Sequence, residues 1–172
     1  MNLVDRLKSA HSFHGDPLHR EAWEEIERLQ PAKINGWGNR FFALAELVGS
    51  WSKDPSTKVG AVIVRPDFTI ASVGYNGFPR GVKDVYTTRD EKLLRTVHAE
   101  ANAIVTAREP LHGCILYVTP LHPCANCSGL IIQSGIKEVH FKIKSKSADA
   151  WSSHFKAMIE MFEGAGIMYF EH

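Results

Sequence analysis

The order of short periodic runs between residues 58 and 170 constrains the fold of this chain more than any other feature. Residues 58–65 (KVGAVIVR) and 68–74 (FTIASVG) are β-rich and meet at Pro66-Asp67, which reads as a hairpin. A turn-rich loop, 75–81 (YNGFPRG), and a polar segment lead to a helix expected over 98–108. A strand (115–119), a helix (124–133), a strand (138–142), a helix (149–163) and a final strand (167–170) follow. Strand–helix–strand crossovers of this length make neighbouring parallel strands with helices on the faces. The expected fold class is therefore α/β, a three-layer α/β/α sandwich with a five-stranded mixed sheet.

Ahead of this pattern, residues 1–37 read as an N-terminal helical extension packed on a main domain of 38–172. A helix is expected over 17–29, with Asp16 as cap and Pro17 in the first turn. Leu18, Ala22, Trp23, Ile26 and Leu29 share one face of it. Breakers follow at 31–38, then an apolar helix over 40–51. A chain of 172 residues suits one core rather than two. The formal charge of +1, from 20 basic and 19 acidic residues, lacks the basic excess of a polynucleotide-binding surface and favours a small substrate. No apolar run reaches the length of a membrane span, and the first residues lack the apolar core of a signal peptide. Three cysteines make a poor disulfide framework, so the expectation is a cytoplasmic chain with metal or redox chemistry.

That chemistry is concentrated in two short segments, His98-Ala99-Glu100 and Pro123-Cys124-Ala125-Asn126-Cys127, each at an expected helix start. Two cysteines three apart in a first turn can aim both sulfurs at one point. The free N–H groups and partial positive charge of that helix end favour thiolates. His98 completes three ligands and leaves the fourth tetrahedral position for water, as in a catalytic zinc site. Two thiolates cancel the charge of Zn2+, so its water needs a nearby base, and Glu100 stands two residues from a ligand. Taken singly, each piece has a commoner reading. A lone C-x-x-C is more often a redox or structural pair, His98 a core histidine or helix cap, and Glu100 a solvated side chain. Together, H-x-E and P-C-x-x-C form the signature of zinc deaminases.

Residues 53–135 resemble the deoxycytidylate (dCMP) deaminase family of the cytidine deaminase superfamily. The resemblance rests on KDPSTKVGAVIV (53–64), GYNGFPRG (74–81), HAEANAI (98–104) and YVTPLHPCANCSGLIIQSGIKEV (117–139). It implies zinc on His98, Cys124 and Cys127, with Glu100 as proton shuttle in hydrolysis of dCMP to dUMP and ammonia. It implies sugar contact by Asn76, base contact by the Ala99 main chain, and contact of the Pro123 main chain with the departing amine. Lys58, Arg80 and Arg89 are the candidates for holding the phosphate, each also readable as a solvated surface charge. The resemblance further implies a homo-oligomer, such as a hexamer, with dCTP and dTTP as effectors. His122 departs from the small residue expected before Pro123. Two other readings stay open. One is a related substrate: a 5-substituted dCMP, a free nucleobase or an RNA adenosine. The other is a catalytically silent, zinc-stabilised binding module, against which the intact Glu100 argues.

Overall fold

The computed structural model describes residues 36–144 and 152–172. The expected 17–29 helix lies outside the described residues. Ten elements follow one another: α1 (Gly36–Ser50), β1 (Gly60–Val64), β2 (Ile70–Tyr75), α2 (Arg89–Arg95), α3 (Ala99–Thr106), β3 (Ile115–Thr119), α4 (Ala125–Gln133), β4 (Glu138–Phe141), α5 (Ser152–Ala165) and β5 (Met168–Glu171). The strands form one sheet in the order β2-β1-β3-β4-β5. β1 runs antiparallel to both β2 and β3, whereas β3, β4 and β5 are parallel. This is the mixed sheet that an opening hairpin followed by two helical crossovers requires.

Alternation along the strands divides the core between two faces. Ala61, Ile63, Leu116, Val118, Val139 and Phe141 pack with Ala99 and Ala103 of α3, Ile131 of α4, and Met158 and Phe162 of α5. On the opposite face Phe41 and Phe42 of α1 pack around Tyr117, with ring centroids 5.1 and 5.3 Å away. The sheet is thus the middle layer of an α/β/α sandwich. β1 is buried along its whole length, which is why GAVIV carries no polar alternation.

Two close approaches fix the spacing of the layers. A Cβ on Gly60 would stand 1.9 Å from the Ala45 carbonyl oxygen of α1. One on Gly74 would stand 2.3 Å from both Ala103 N and Ala99 O of α3. Only glycine lets β1 and β2 come this near the helices.

Two boundaries differ from the sequence reading. α1 starts at Gly36, four residues before the expected start, so the presumed breakers Gly36 and Gly38 lie inside the helix. Gly38 is buried there, and packing outweighs its poor propensity. The polar segment before residue 98 contains a helix of its own, α2. Thr88 caps it by accepting from Glu91 N at 3.2 Å, while the Glu91 carboxylate accepts from Thr87 N at 2.7 Å. Thr88-x-x-Glu91 thus approximates a capping box, with Glu91 reaching one residue further back, to Thr87.

Candidate functional site

The N-termini of α3 and α4 bring the two motif segments together. His98 is the cap residue of α3 and Cys124 the cap residue of α4. Cys124 Sγ also accepts from Cys127 N at 3.5 Å, and Ser128 Oγ donates to Cys124 O at 3.0 Å, so the first turn of α4 is tied to its own ligand. His98 Nδ1 lies 3.4 Å from Cys124 Sγ and 3.5 Å from Cys127 Sγ. The three donor atoms all fall within 4.8 Å of one another, and among the described residues no fourth His, Cys, Asp or Glu shares the cluster. Tetrahedral zinc with ordinary Zn–N and Zn–S bonds sets its N and S ligands about 3.6 Å apart. The cluster fits the ion and leaves one position without a protein ligand.

Electrostatics follow from this packing. The Cys124 thiol is held well below its ordinary range, first by hydrogen bonding with Cys127 and then by His98. His98 is raised, chiefly by its contact with Cys124. Glu100 is 3% exposed, and burial pushes its carboxyl up to about 7, with the His98 charge pulling the other way. A carboxyl poised there can both take and release a proton near neutral pH.

These groups border a cleft of about 320 Å³ whose walls include Asn76, Ala99, Glu100, His122 and Arg89. Asn76 is buried and holds the near wall: its Oδ1 accepts from Val59 N at 2.8 Å and its Nδ2 donates to Thr57 O at 2.9 Å. Of the three candidate phosphate cations, Arg89 lines the cleft and Lys58 and Arg80 do not. Lys58 Nζ instead donates to Ser50 O at 3.3 Å, at the end of α1. Pro123 is also absent from the lining, and its carbonyl accepts from His122 Nδ1 at 2.8 Å. His122 occupies the cleft wall, where its ring packs edge-on against Phe155 at 4.9 Å.

Sequence reasoning missed Asp54, Ser56 and Lys92, which also line the cleft. Lys92 Nζ lies 2.8 Å from each Asp54 carboxylate oxygen and 3.3 Å from Ser56 Oγ. Burial pushes the Asp54 carboxyl up, but the Lys92 hydrogen bond and the N–H groups of Thr57 and Ser56 outweigh it and hold it below its ordinary 3.8. The pair spans 38 positions of sequence, so no local spacing announces it.

Residues 35–143 match the family described as "Cytidine and deoxycytidylate deaminase zinc-binding region". The chain is 47% identical over 137 residues to an uncharacterized deaminase of the luxG 3' region of Aliivibrio fischeri, covering 78% of this chain and 92% of that one. It is 39% identical over 142 residues to the deoxycytidylate deaminase of Homo sapiens, covering 77% and 78%. Its fold is similar to the crystal structure of the dCMP deaminase from the cyanophage S-TIM5 in complex with dCMP and dUMP. That match has a TM-score of 0.58 and 25% identity, with 92% of this chain and 100% of that chain covered. An imidazole and two cysteine sulfurs on adjoining helix ends, with a buried carboxyl beside them, suit such a zinc-binding region, and this chain belongs to the cytidine and deoxycytidylate deaminase family.

Proposed function

We propose that the protein hydrolyses dCMP to dUMP and ammonia. The observation that carries the chemistry is the three-donor cluster with an open position beside the buried Glu100. Similarity to the human deoxycytidylate deaminase and to the dCMP- and dUMP-bound phage structure supports the substrate.

Zinc, when bound, would be held by His98, Cys124 and Cys127 and would supply a Lewis acid that acidifies a water in the cleft. Glu100 accepts a proton from that water and delivers it to N3 of the cytosine ring as the water oxygen bonds to C4. The same carboxyl then takes the proton of the new C4 hydroxyl and passes it to the amine as the C4–N bond breaks and the C4 carbonyl forms, so one water enters and one ammonia leaves. Its burial keeps competing solvent from the carboxyl while it does so. Ala99 contacts the base through its main chain, and Pro123 the departing amine. Asn76 uses one amide hydrogen on Thr57 O and has a second for the sugar. Arg89 lines the cleft and makes no ion pair with any described residue, which supports it as the phosphate contact. Lys58 and Arg80, away from the lining, serve as outer surface charges in this reading.

The same reading takes residues 1–37 as an extension of a deaminase domain at 38–172. It takes the enzyme as a cytoplasmic homo-oligomer, such as a hexamer, responsive to dCTP and dTTP. No described helix is long and apolar enough to cross a membrane.

The deciding experiment compares ammonia release from dCMP, CMP, 5-methyl-dCMP, deoxycytidine and cytosine. Catalytic efficiency is expected to fall at least about tenfold when the phosphate is removed, because a charge-assisted contact is lost. Glu100→Gln is expected to keep its zinc and lose about 10²–10⁴ in turnover, the range of a positioned acid–base group. Equal efficiency on dCMP and deoxycytidine would overturn the nucleotide assignment, and full activity in Glu100→Gln the mechanism.

A further inference from the structure

α2 is seven residues long, and Lys92 is its one buried residue. Helices this short are not stable by propensity alone, so what seats α2 is what its buried side chain grips. Lys92 grips Asp54: the ammonium meets both carboxylate oxygens at 2.8 Å and Ser56 Oγ at 3.3 Å, which accounts for its three protons. Asp54 in turn organises its own loop, accepting from Ser56 N at 2.7 Å and Thr57 N at 3.0 Å through Oδ1. That loop continues into residues 57 and 59, which are bound by the Asn76 amide on the cleft wall. The pair therefore locks α2 to the loop opposite.

The pair is also a partition. Asp54 and Lys92 line the main cleft on one side and, on the other, a hollow of about 40 Å³ closed by Phe78 and Tyr86. Side-chain exposures of 8% and 9% leave little water between the charges. With its protons committed and its charge matched, Lys92 has nothing to offer a substrate phosphate directly. Arg89 does: it stands three residues earlier, on the same helical face, and lines the same cleft.

We infer that Lys92, through its buried pair with Asp54, is a positioning residue that seats α2 so that Arg89 meets the substrate's phosphate. The inference rests on the nucleotide reading above and deepens it: phosphate recognition depends on a residue that never touches the phosphate. A buried ion pair suits this task because separating it would leave an uncompensated charge on each side, which holds α2 against the loop.

The test is calorimetric titration of dUMP and of 2′-deoxyuridine into the zinc-loaded full chain and its variants. Lys92→Met is expected to weaken dUMP about tenfold and leave deoxyuridine unchanged, while Lys92→Arg keeps most of the affinity. On an Arg89→Gln background, Lys92→Met is expected to add less than about twofold, because two residues acting through one contact are not additive. If Lys92→Met does not fold, the paired variant Asp54→Asn with Lys92→Gln, which buries no charge, is expected to show the same selective loss. Unchanged dUMP affinity, equal loss for both ligands, or losses that multiply with Arg89→Gln would each overturn the role of Lys92. Equal wild-type affinity for dUMP and deoxyuridine would instead overturn the nucleotide reading itself, and the inference with it.

Discussion

Asp54 shows how a side chain with no signature can carry as much structure as a metal ligand. Its folded carboxyl is held below 3.8 by Lys92 and two backbone N–H groups, against the opposing effect of burial. A depressed folded value contributes stability that is fully present above the unfolded value and is lost as pH falls through the folded one. Asp54→Asn, which leaves the Lys92 charge buried and unpaired, is expected to cost about 3 kcal/mol at pH 7. As pH falls below 3.8 the advantage of the wild type should shrink, and the two urea midpoints should converge once pH has passed the still lower folded value, where the protonated carboxyl resembles the amide. A gap that stays constant down to acid unfolding would show that the ion pair adds nothing. The metal ligands, by contrast, were legible at once. His98, Cys124 and Cys127, with Glu100 beside them, stand at helix starts, where short sequence spacing fixes geometry. Asp54 and Lys92 meet only because the chain folds, and nothing local distinguishes them from solvated charges. Among the three cations read as phosphate candidates, exposed loop positions looked alike until the cleft separated Arg89 from the others.

At the scale of elements, the site depends on how closely β2 approaches α3. The space above Gly74 is taken by Ala99 O, next to Glu100 in sequence, and by Ala103 N, three residues after it on the same turn of α3. Gly74→Ala would press a methyl group into backbone that cannot move aside. The expected cost is about 1–3 kcal/mol from overpacking, read as a lower urea midpoint. Turnover should drop as well, because α3 shifts with Glu100 and His98 on it. Gly164→Ala, an open helical position with nothing near the added carbon, is the control expected to leave turnover unchanged and the midpoint level or slightly raised. The same elements show why strands were easier to read than helix ends. β3 falls at 115–119 as its apolar, β-branched run indicates. The early start of α1 and the existence of α2 depend instead on burial of Gly38 and on the Thr88–Glu91 cap, which the polar composition of residues 82–97 disguises.

In the whole molecule, the zinc ligands join two helices that pack together on one face of the sheet. His98 begins α3 and Cys124 begins α4, 26 positions apart, so an ion held between them clamps the cleft end of both. Without the ion, two sulfurs and an imidazole remain crowded within 4.8 Å at two helix N-termini. A ligand that binds only the folded chain, present at a hundred times its dissociation constant, stabilises it by about 2.7 kcal/mol. For a chain of this size each kcal/mol moves Tm by about 2–4 °C. Stripping the metal with dipicolinate should therefore lower Tm by about 5–10 °C and abolish deamination, and stoichiometric zinc should restore both. His98→Ala should begin at the lower Tm and respond to neither treatment, since two thiols alone do not span the helices. A chelated protein that has lost its zinc by elemental analysis yet melts at the original temperature would mean that packing alone sets this end of the fold. The ion would then serve the chemistry without holding the helices.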